Sequence, residues 1–333
     1  MTTGLGMGDD LHAFPPDHAT ARDRFCEAAA RLGWGLEAHP IEARGPLGEA
    51  LAIDVALSPA GGSADRVLVV SSGLHGAEGP FGSAVQWAWM DRLVRRGTTP
   101  LPARCVFLHA LNPHGFAHGR RFDEENVDPN RNFLPEGDPY SGSPEGYASL
   151  DGLLNPRRAP RAVDPFVVRA AVTAARRGMR TVRQAVAAGQ YDYPRGLFYG
   201  GDGPSEMHRI LAANLARWLD GAREVVHLDF HTGLGRWGDC RLLIDSPLTP
   251  RQRERLASWF GPDSFEACNT AGVSYESRGG LGPFCVRSLP GADYLFACAE
   301  YGTYPAVRVL AGLRAENRAH HWARAGSPSI ERT

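Results

Sequence analysis

The chain has no apolar run long enough to cross a bilayer and no cysteine pair at C-x-x-C spacing. The first absence argues against a membrane span. The cysteines are scattered as Cys26, Cys105, Cys240, Cys268, Cys285 and Cys298. That argues against a disulfide framework or a cysteine-held zinc, and for reduced thiols in the cytoplasm. An excess of one charge sign is missing as well. The formal net charge of -1 gives nucleic acid no electrostatic footprint to bind. The opening MTTGLGMGDDLHAFPPDH lacks the basic start and apolar core of a secretory signal. Internal repeats, low-complexity tracts and an evident linker are absent too. A cytoplasmic, soluble globular protein with neither membrane nor nucleic-acid partner is expected, with one domain over 1–333. Nothing in these features specifies an oligomeric state.

What is present suits a sizeable core: 333 residues, 43% of them hydrophobic. DHATARDRFCEAAARL reads as a helix, and GLEAHPIEA and ALAIDVALS as strands of a meander. RVLVVSS and RCVFLHALNP are short, β-branched and bounded by turn residues, as buried strands are. A helix runs from about Phe81 to Arg96, with Pro80 in its first turn. An irregular stretch is expected over Pro113 to Val163. After it come a helix over 164–189, a second over 204–221, the strands REVVHLDFHTG, CRLLIDS and ADYLFACAEYG, and a terminal helix. Helices and strands interleave, so the fold class is α/β.

The chemistry begins at SSGLHGAEGP. His75 and Glu78 follow a buried strand directly, where α/β sheets place their ligand sites, and the glycines let backbone approach a bound group. A second H-x-x-E, His39 and Glu42, lies within a strand-like segment and reads as an exposed edge pair. A catalytic zinc takes three protein ligands and leaves one position open. His231, at the end of REVVHLDF, completes the set His75, Glu78 and His231. His227, two alternations earlier on the same face, sits deeper and reads as a core histidine.

Glu300 closes a third buried strand. There it is either a general base, poised to take a proton from an activated water, or a strand-terminal carboxylate facing solvent. The loop NPHGFAHGRRFDEENVDPNRNF carries Arg120, Arg121 and Arg131 among Asn112, Asn126, Asn130 and Asn132. Such a loop either recognises carboxylates and oxyanions through arginine forks or is a solvated surface. Asp128 is placed to orient a ligand histidine from behind.

Taken in order, H-G-A-E, N-P-H-G-F, R-R, V-D-P-N-R-N-F, D-F-H-T-G and A-E-Y-G-T resemble the zinc metallocarboxypeptidases of the carboxypeptidase A type. The segment Leu197 to Gly201, L-F-Y-G-G, resembles their little-characterised bacterial branch. The resemblance covers about 65–320. It implies one three-layer α/β/α domain with a mixed, twisted sheet, and one zinc per chain on His75, Glu78 and His231. It further implies Glu300 as general base, Asp128 accepting a hydrogen bond from His75, and Asn130 with Arg131 gripping the substrate's terminal carboxylate. One of Arg120 and Arg121 becomes the oxyanion arginine, Arg121 being preferred, and Tyr275 is the candidate for a mobile tyrosine over the site. The implied activity is hydrolysis of an amide beside a free carboxylate, by a metallopeptidase acting on peptides or peptide-like small molecules.

Two other readings stand beside it. One is an N-acyl amino acid deacylase resembling succinylglutamate desuccinylase and aspartoacylase, which shares the zinc, the glutamate and a carboxylate-gripping arginine. The intact D-P-N-R-N-F and N-P-x-G-F favour the peptidase. The other is a non-catalytic relative that binds peptides or carboxylates, against which the full set of ligands and Glu300 argues.

Overall fold

A computed structural model describes residues 10–59, 63–97, 101–161, 163–267 and 278–323. Its strands are β1 (Gly35–Arg44), β2 (Ala50–Leu57), β3 (Arg66–Ser72), β4 (Arg104–His109), β5 (Glu224–Gly233), β6 (Cys240–Ile244), β7 (Phe265–Ala267) and β8 (Asp293–Gly302). They form one eight-stranded sheet in the order β1-β2-β4-β3-β5-β8-β6-β7. The helices are α1 (His18–Arg31), α2 (Gly79–Arg96), α3 (Pro113–Ala117), α4 (Tyr147–Leu154), α5 (Phe166–Arg177), α6 (Met179–Ala187), α7 (Glu206–Trp218), α8 (Pro250–Phe260), α9 (Leu281–Ser288) and α10 (Ala306–Trp322).

The sheet is mixed. β4, β3, β5 and β8 run parallel, while β1 and β2 on one flank and β6 against β8 on the other are antiparallel. Its central strands are apolar on both faces, as strands covered on both sides must be. Val67 and Val69 of β3 pack with Leu211, Leu215 and Trp218 of α7 and Phe284 of α9. Leu68 and Val70, pointing the other way, pack with Phe25 of α1, Met90 of α2 and Leu256 of α8. The two faces give the three-layer α/β/α sandwich. Each such buried aliphatic side chain contributes roughly 1.5–3 kcal/mol.

Local chemistry sets the helix ends. Ser205 accepts from the His208 N–H to start α7, and Thr249 with Gln252 forms a capping box on α8. The single helix expected over 164–189 is two, α5 and α6, because Gly178 adopts φ 85° between them. The stretch from Pro113 to Val163 is less irregular than its composition suggests, since it contains α3 and α4. Among the described residues no helix is long and apolar enough to cross a membrane.

Strand order also fixes where a ligand can sit. From β3 the chain crosses to β4 on one side; from β5 it goes to β6 and β8 on the other. Loops that diverge in this way open a crevice at the carboxyl ends of β3 and β5.

Candidate metal centre

The crevice holds the H-x-x-E pair. β3 ends at Ser72, and the backbone turns at Gly73 with φ 67°, where an added Cβ would come within 2.9 Å of the Ala110 Cβ. His75 is extended and caps a short 3-10 turn, Gly76–Glu78. With three residues per turn, side chains three apart lie over one another, which is why this spacing brings His75 onto Glu78. The turn is pressed against the start of α3, so closely that a Cβ on Gly76 would lie 2.0 Å from the Gly115 carbonyl carbon. The Ala77 N–H donates to the Arg120 carbonyl at 2.7 Å. Asn112 caps α3 by accepting from the Gly115 N–H at 2.7 Å. N-P-H-G-F is therefore the buttress of H-G-A-E.

His75 Nδ1 lies 2.9 Å from Glu78 Oε1, and His231 Nδ1 lies 3.1 Å from Glu78 Oε2. The Thr232 N–H donates to the same Oε2 at 2.9 Å, fixing the carboxylate between the histidines. Ligand atoms of all three residues fall within 4.8 Å of one another. Around a tetrahedral zinc, ligand atoms about 2.0–2.1 Å from the metal stand roughly 3.3 Å apart. The three residues fit such an ion in donor type and spacing.

Electrostatics point the same way. Burial opposes the charge on Glu78, but His75 and His231 outweigh it and hold the carboxyl below its usual range. Burial likewise opposes charge on His231, yet Cys298 and Asp229 hold its imidazole well above the usual histidine range. A position that favours positive charge between buried carboxylates is one a cation can fill.

Behind each histidine stands a carboxylate. Asp128, fully buried, is 3.3 Å from His75 Nε2, within ion-pair distance though off the hydrogen-bonding line. Asp229 Oδ2 is 2.5 Å from His231 Nε2. Both ring nitrogens of each histidine thus face carboxylate oxygens, which can only accept; a metal ion on Nδ1 would replace that nitrogen's proton and leave the Nε2–H directed at the carboxylate behind. The signal for Asp229 was present in D-F-H: two residues apart in a strand share a face.

Parallel pairing of β5 with β8 sets His231 opposite Glu300. Glu300 is 9% exposed, its Oε1 accepts from the Leu234 N–H at 2.7 Å, and the Cys298 thiol faces Oε2 at 3.8 Å. Burial first, then the charge on Glu78, raises its carboxyl above the usual range. That moves a carboxylate towards the range where it can both take and return a proton.

The adjacent arginines part company. Arg121 Nε donates to Asp128 Oδ2 at 3.0 Å, and its Nη1 is 3.5 Å from Glu78 Oε1, so its guanidinium flanks the cluster. Arg120 turns the other way, donating to Glu316 Oε1 at 2.6 Å and to Asn126 Oδ1 at 2.8 Å. The two neighbouring side chains therefore have different targets. Arg120, expected as a substrate residue, here ties the loop to α10.

Asn130 accepts from the Leu281 N–H at 3.0 Å, joining the loop to the start of α9. Arg131 is 7% exposed and donates from Nη1 to the Asn130 carbonyl at 2.7 Å. Tyr275 lies outside the described residues. His227 is fully buried, as expected of a core residue.

Fold and cluster define a class: a three-layer α/β/α protein with a candidate metal-ion site of two histidines and a glutamate at its topological switch point. The chain belongs to the family described as a protein of unknown function (DUF2817), which it matches over residues 14–332. No curated protein matches it in sequence. Among solved structures it is similar to carboxypeptidase A from Helicoverpa armigera, at 13% identity and a TM-score of 0.48, over 91% of this chain and 73% of that one. It is similar to the murein-tripeptide amidase from Escherichia coli O157, at 20% identity and a TM-score of 0.43, over 96% and 98% of the two chains. A succinylglutamate desuccinylase from Chromobacterium violaceum is similar at 17% identity and a TM-score of 0.40, over 92% of this chain and 75% of that one.

Proposed function

We propose that the protein is a zinc-dependent hydrolase that cleaves an amide beside a free carboxylate, a metallopeptidase of carboxypeptidase type acting on peptides or peptide-like small molecules. The observation that carries this reading is the shared carboxylate of Glu78, 2.9 Å from His75 Nδ1 and 3.1 Å from His231 Nδ1, with Glu300 directly across from His231.

His75, Glu78 and His231 would hold a zinc ion, which would supply Lewis acidity to lower the pKa of a water and polarise a carbonyl. Glu300 Oε2 is the acceptor for the water's proton, while Oε1 is anchored by the Leu234 N–H. The same carboxyl returns that proton to the leaving amine, a double role that its raised proton affinity suits. Arg121 is braced by Asp128 and offers its Nη groups to the oxyanion that develops when the carbonyl is attacked. Asn130 and Arg131 hold the free carboxylate of the substrate, which makes the chemistry that of an exopeptidase. The work proposed for the chain is cytoplasmic.

The test is zinc content of the purified protein together with turnover of dipeptides, their C-terminally amidated forms, and N-acetyl or N-succinyl amino acids. About one zinc per chain with cleavage confined to free-carboxylate peptides supports the proposal. Turnover of N-acyl amino acids alone transfers the site to a deacylase, and failure to take up zinc removes it.

A further inference from the structure

The face of β5 that carries His231 is polar well below the crevice. His227, Asp229 and His231 alternate along it, and His227 and Asp229 are both fully buried. Ser71 of β3, also fully buried, is the register partner of Asp229. Their surroundings are the apolar cluster of Val69, Val225, Leu281 and Phe296. Polar groups in such a place are costly unless every donor finds an acceptor.

Here the partners are found, and the chemistry of each group fixes the direction of every bond. Asp229 accepts at both oxygens, from Ser71 at Oδ1 and facing His231 Nε2 at Oδ2. Ser71 Oγ is 2.6 Å from Asp229 Oδ1, so the hydroxyl must spend its one proton there. Ser71 Oγ is also 2.7 Å from His227 Nε2 and can only accept, so Nε2 carries the proton. Burial keeps His227 neutral, pushing it down to about 4, and its Nδ1 is therefore a bare lone pair. The Tyr294 hydroxyl, 2.9 Å away, donates to it. On the other side the His231 Nε2–H donates to Asp229 Oδ2 at 2.5 Å.

We infer that Tyr294, His227, Ser71 and Asp229 form a buried relay that positions His231 for the metal, with Asp229 as the residue on which both arms converge. Hydrogen bonds that all point one way polarise one another. The two donors hold the Asp229 carboxylate in a single rotamer, and that carboxylate keeps the His231 Nε2 proton, so that Nδ1 is the nitrogen a metal would take. The geometry extends the control of one ligand through four side chains into the core. His75 has a shorter arrangement, with Asp128 braced by Arg121. The inference rests on the zinc reading of the site.

The relay predicts an effect that simple core packing does not. Carboxylate partners of ligating histidines are worth roughly 10–100-fold in metal affinity. Asp229→Asn presents an amide to His231 and should weaken zinc binding by about that factor. Ser71→Ala and Tyr294→Phe remove one donor each with little change of volume, and should weaken it less, in that order. Zinc affinity is measured by chelator competition on the full chain, melting is followed on the metal-free protein, and the visible spectrum is recorded with cobalt in place of zinc.

Graded loss of affinity and altered cobalt spectra, with the metal-free melting temperature little changed, is the expected result. Ser71→Ala and Tyr294→Phe proteins that bind zinc like the wild type, whatever their melting temperatures, would overturn the relay. Should Ser71→Ala fail to fold, Tyr294→Phe decides alone. A wild-type protein that binds zinc tightly yet cleaves no amide defeats the proposed function and leaves the relay intact. A wild-type protein that takes up no zinc defeats both.

Discussion

Glu300 stands directly across from His231 in the parallel pairing of β5 and β8. Neither loop flexibility nor a long side chain is needed to bring the candidate base beside the candidate ligand, because backbone hydrogen bonds set their spacing. Glu300→Gln keeps the size and the bond from the Leu234 N–H but cannot take a proton. It should lower kcat by roughly 10²–10⁴-fold with zinc retained. Normal turnover by this variant, at full zinc occupancy, would remove Glu300 from the mechanism.

Removing the metal, or a ligand, should act differently. A chelator such as 1,10-phenanthroline should abolish hydrolysis, and added zinc should restore it. His231→Ala should lose the metal itself, read as zinc per chain by atomic absorption, and added zinc should then restore little.

The two neighbouring arginines provide an internal control. Arg121 flanks the cluster, and Arg121→Ala should cost about 10²–10³ in kcat with a modest change in melting. Arg120 is paired with Glu316 at 2.6 Å and is 5% exposed. Arg120→Ala leaves the half-buried Glu316 carboxylate without its partner and should lower the melting temperature. The expected split is activity for one and stability for the other. Equal loss of kcat in both variants, at matched folded fractions, would refute it.

Acid should loosen the molecule through histidines that are neutral when folded. Burial holds His109 down to about 3; burial with nearby cationic groups holds His114 and His321 down to about 4. In the unfolded chain these rings titrate near ~6.5. As pH falls through that value the unfolded state binds protons that the folded state refuses. Stability is therefore complete above about 6.5 and declines from there towards about 4. Melting temperatures measured in steps between those values should fall, and His321→Gln should flatten the slope. A profile unchanged by His321→Gln would exclude that ring from the effect.

Gly76→Ala tests the buttress. Its Cβ would meet the Gly115 backbone at 2.0 Å, and neither side is a flexible side chain that can give way. The substitution should lower the melting temperature and weaken zinc binding together. A folded Gly76→Ala protein with wild-type zinc affinity would show that the turn can shift without carrying His75 and Glu78 with it.

How much of this was legible beforehand follows physical lines. Strand-end placement of His75, His231 and Glu300 could be read because buried parallel strands are apolar runs that stop at turn residues, and the residues after them face the crevice. Asp128 behind His75 was legible through motif order. Which way Arg120 and Arg121 turn is not legible, because composition does not say how a side chain points in an irregular loop. Asp229 is not marked by motif order, although the period of a strand puts it on the same face as His231. The break at Gly178 and the helices α3 and α4 escaped for a related reason. Short helices in glycine- and proline-rich segments are stabilised by caps and by their neighbours, such as Asn112 on α3, more than by their own periodicity.

The bond from the Thr232 N–H to Glu78 spans nearly half the polypeptide, and that has a consequence for biogenesis. A nascent chain that has emerged from the ribosome only as far as β4 carries His75 and Glu78 but neither His231 nor Glu300. Two ligands on a short turn make a weak and unselective grip. The full cluster forms only after β5 has inserted beside β3, and the base arrives later still, with β8. On the proposed zinc reading, loading with metal would therefore be a late step of maturation, completed only once the central sheet is finished.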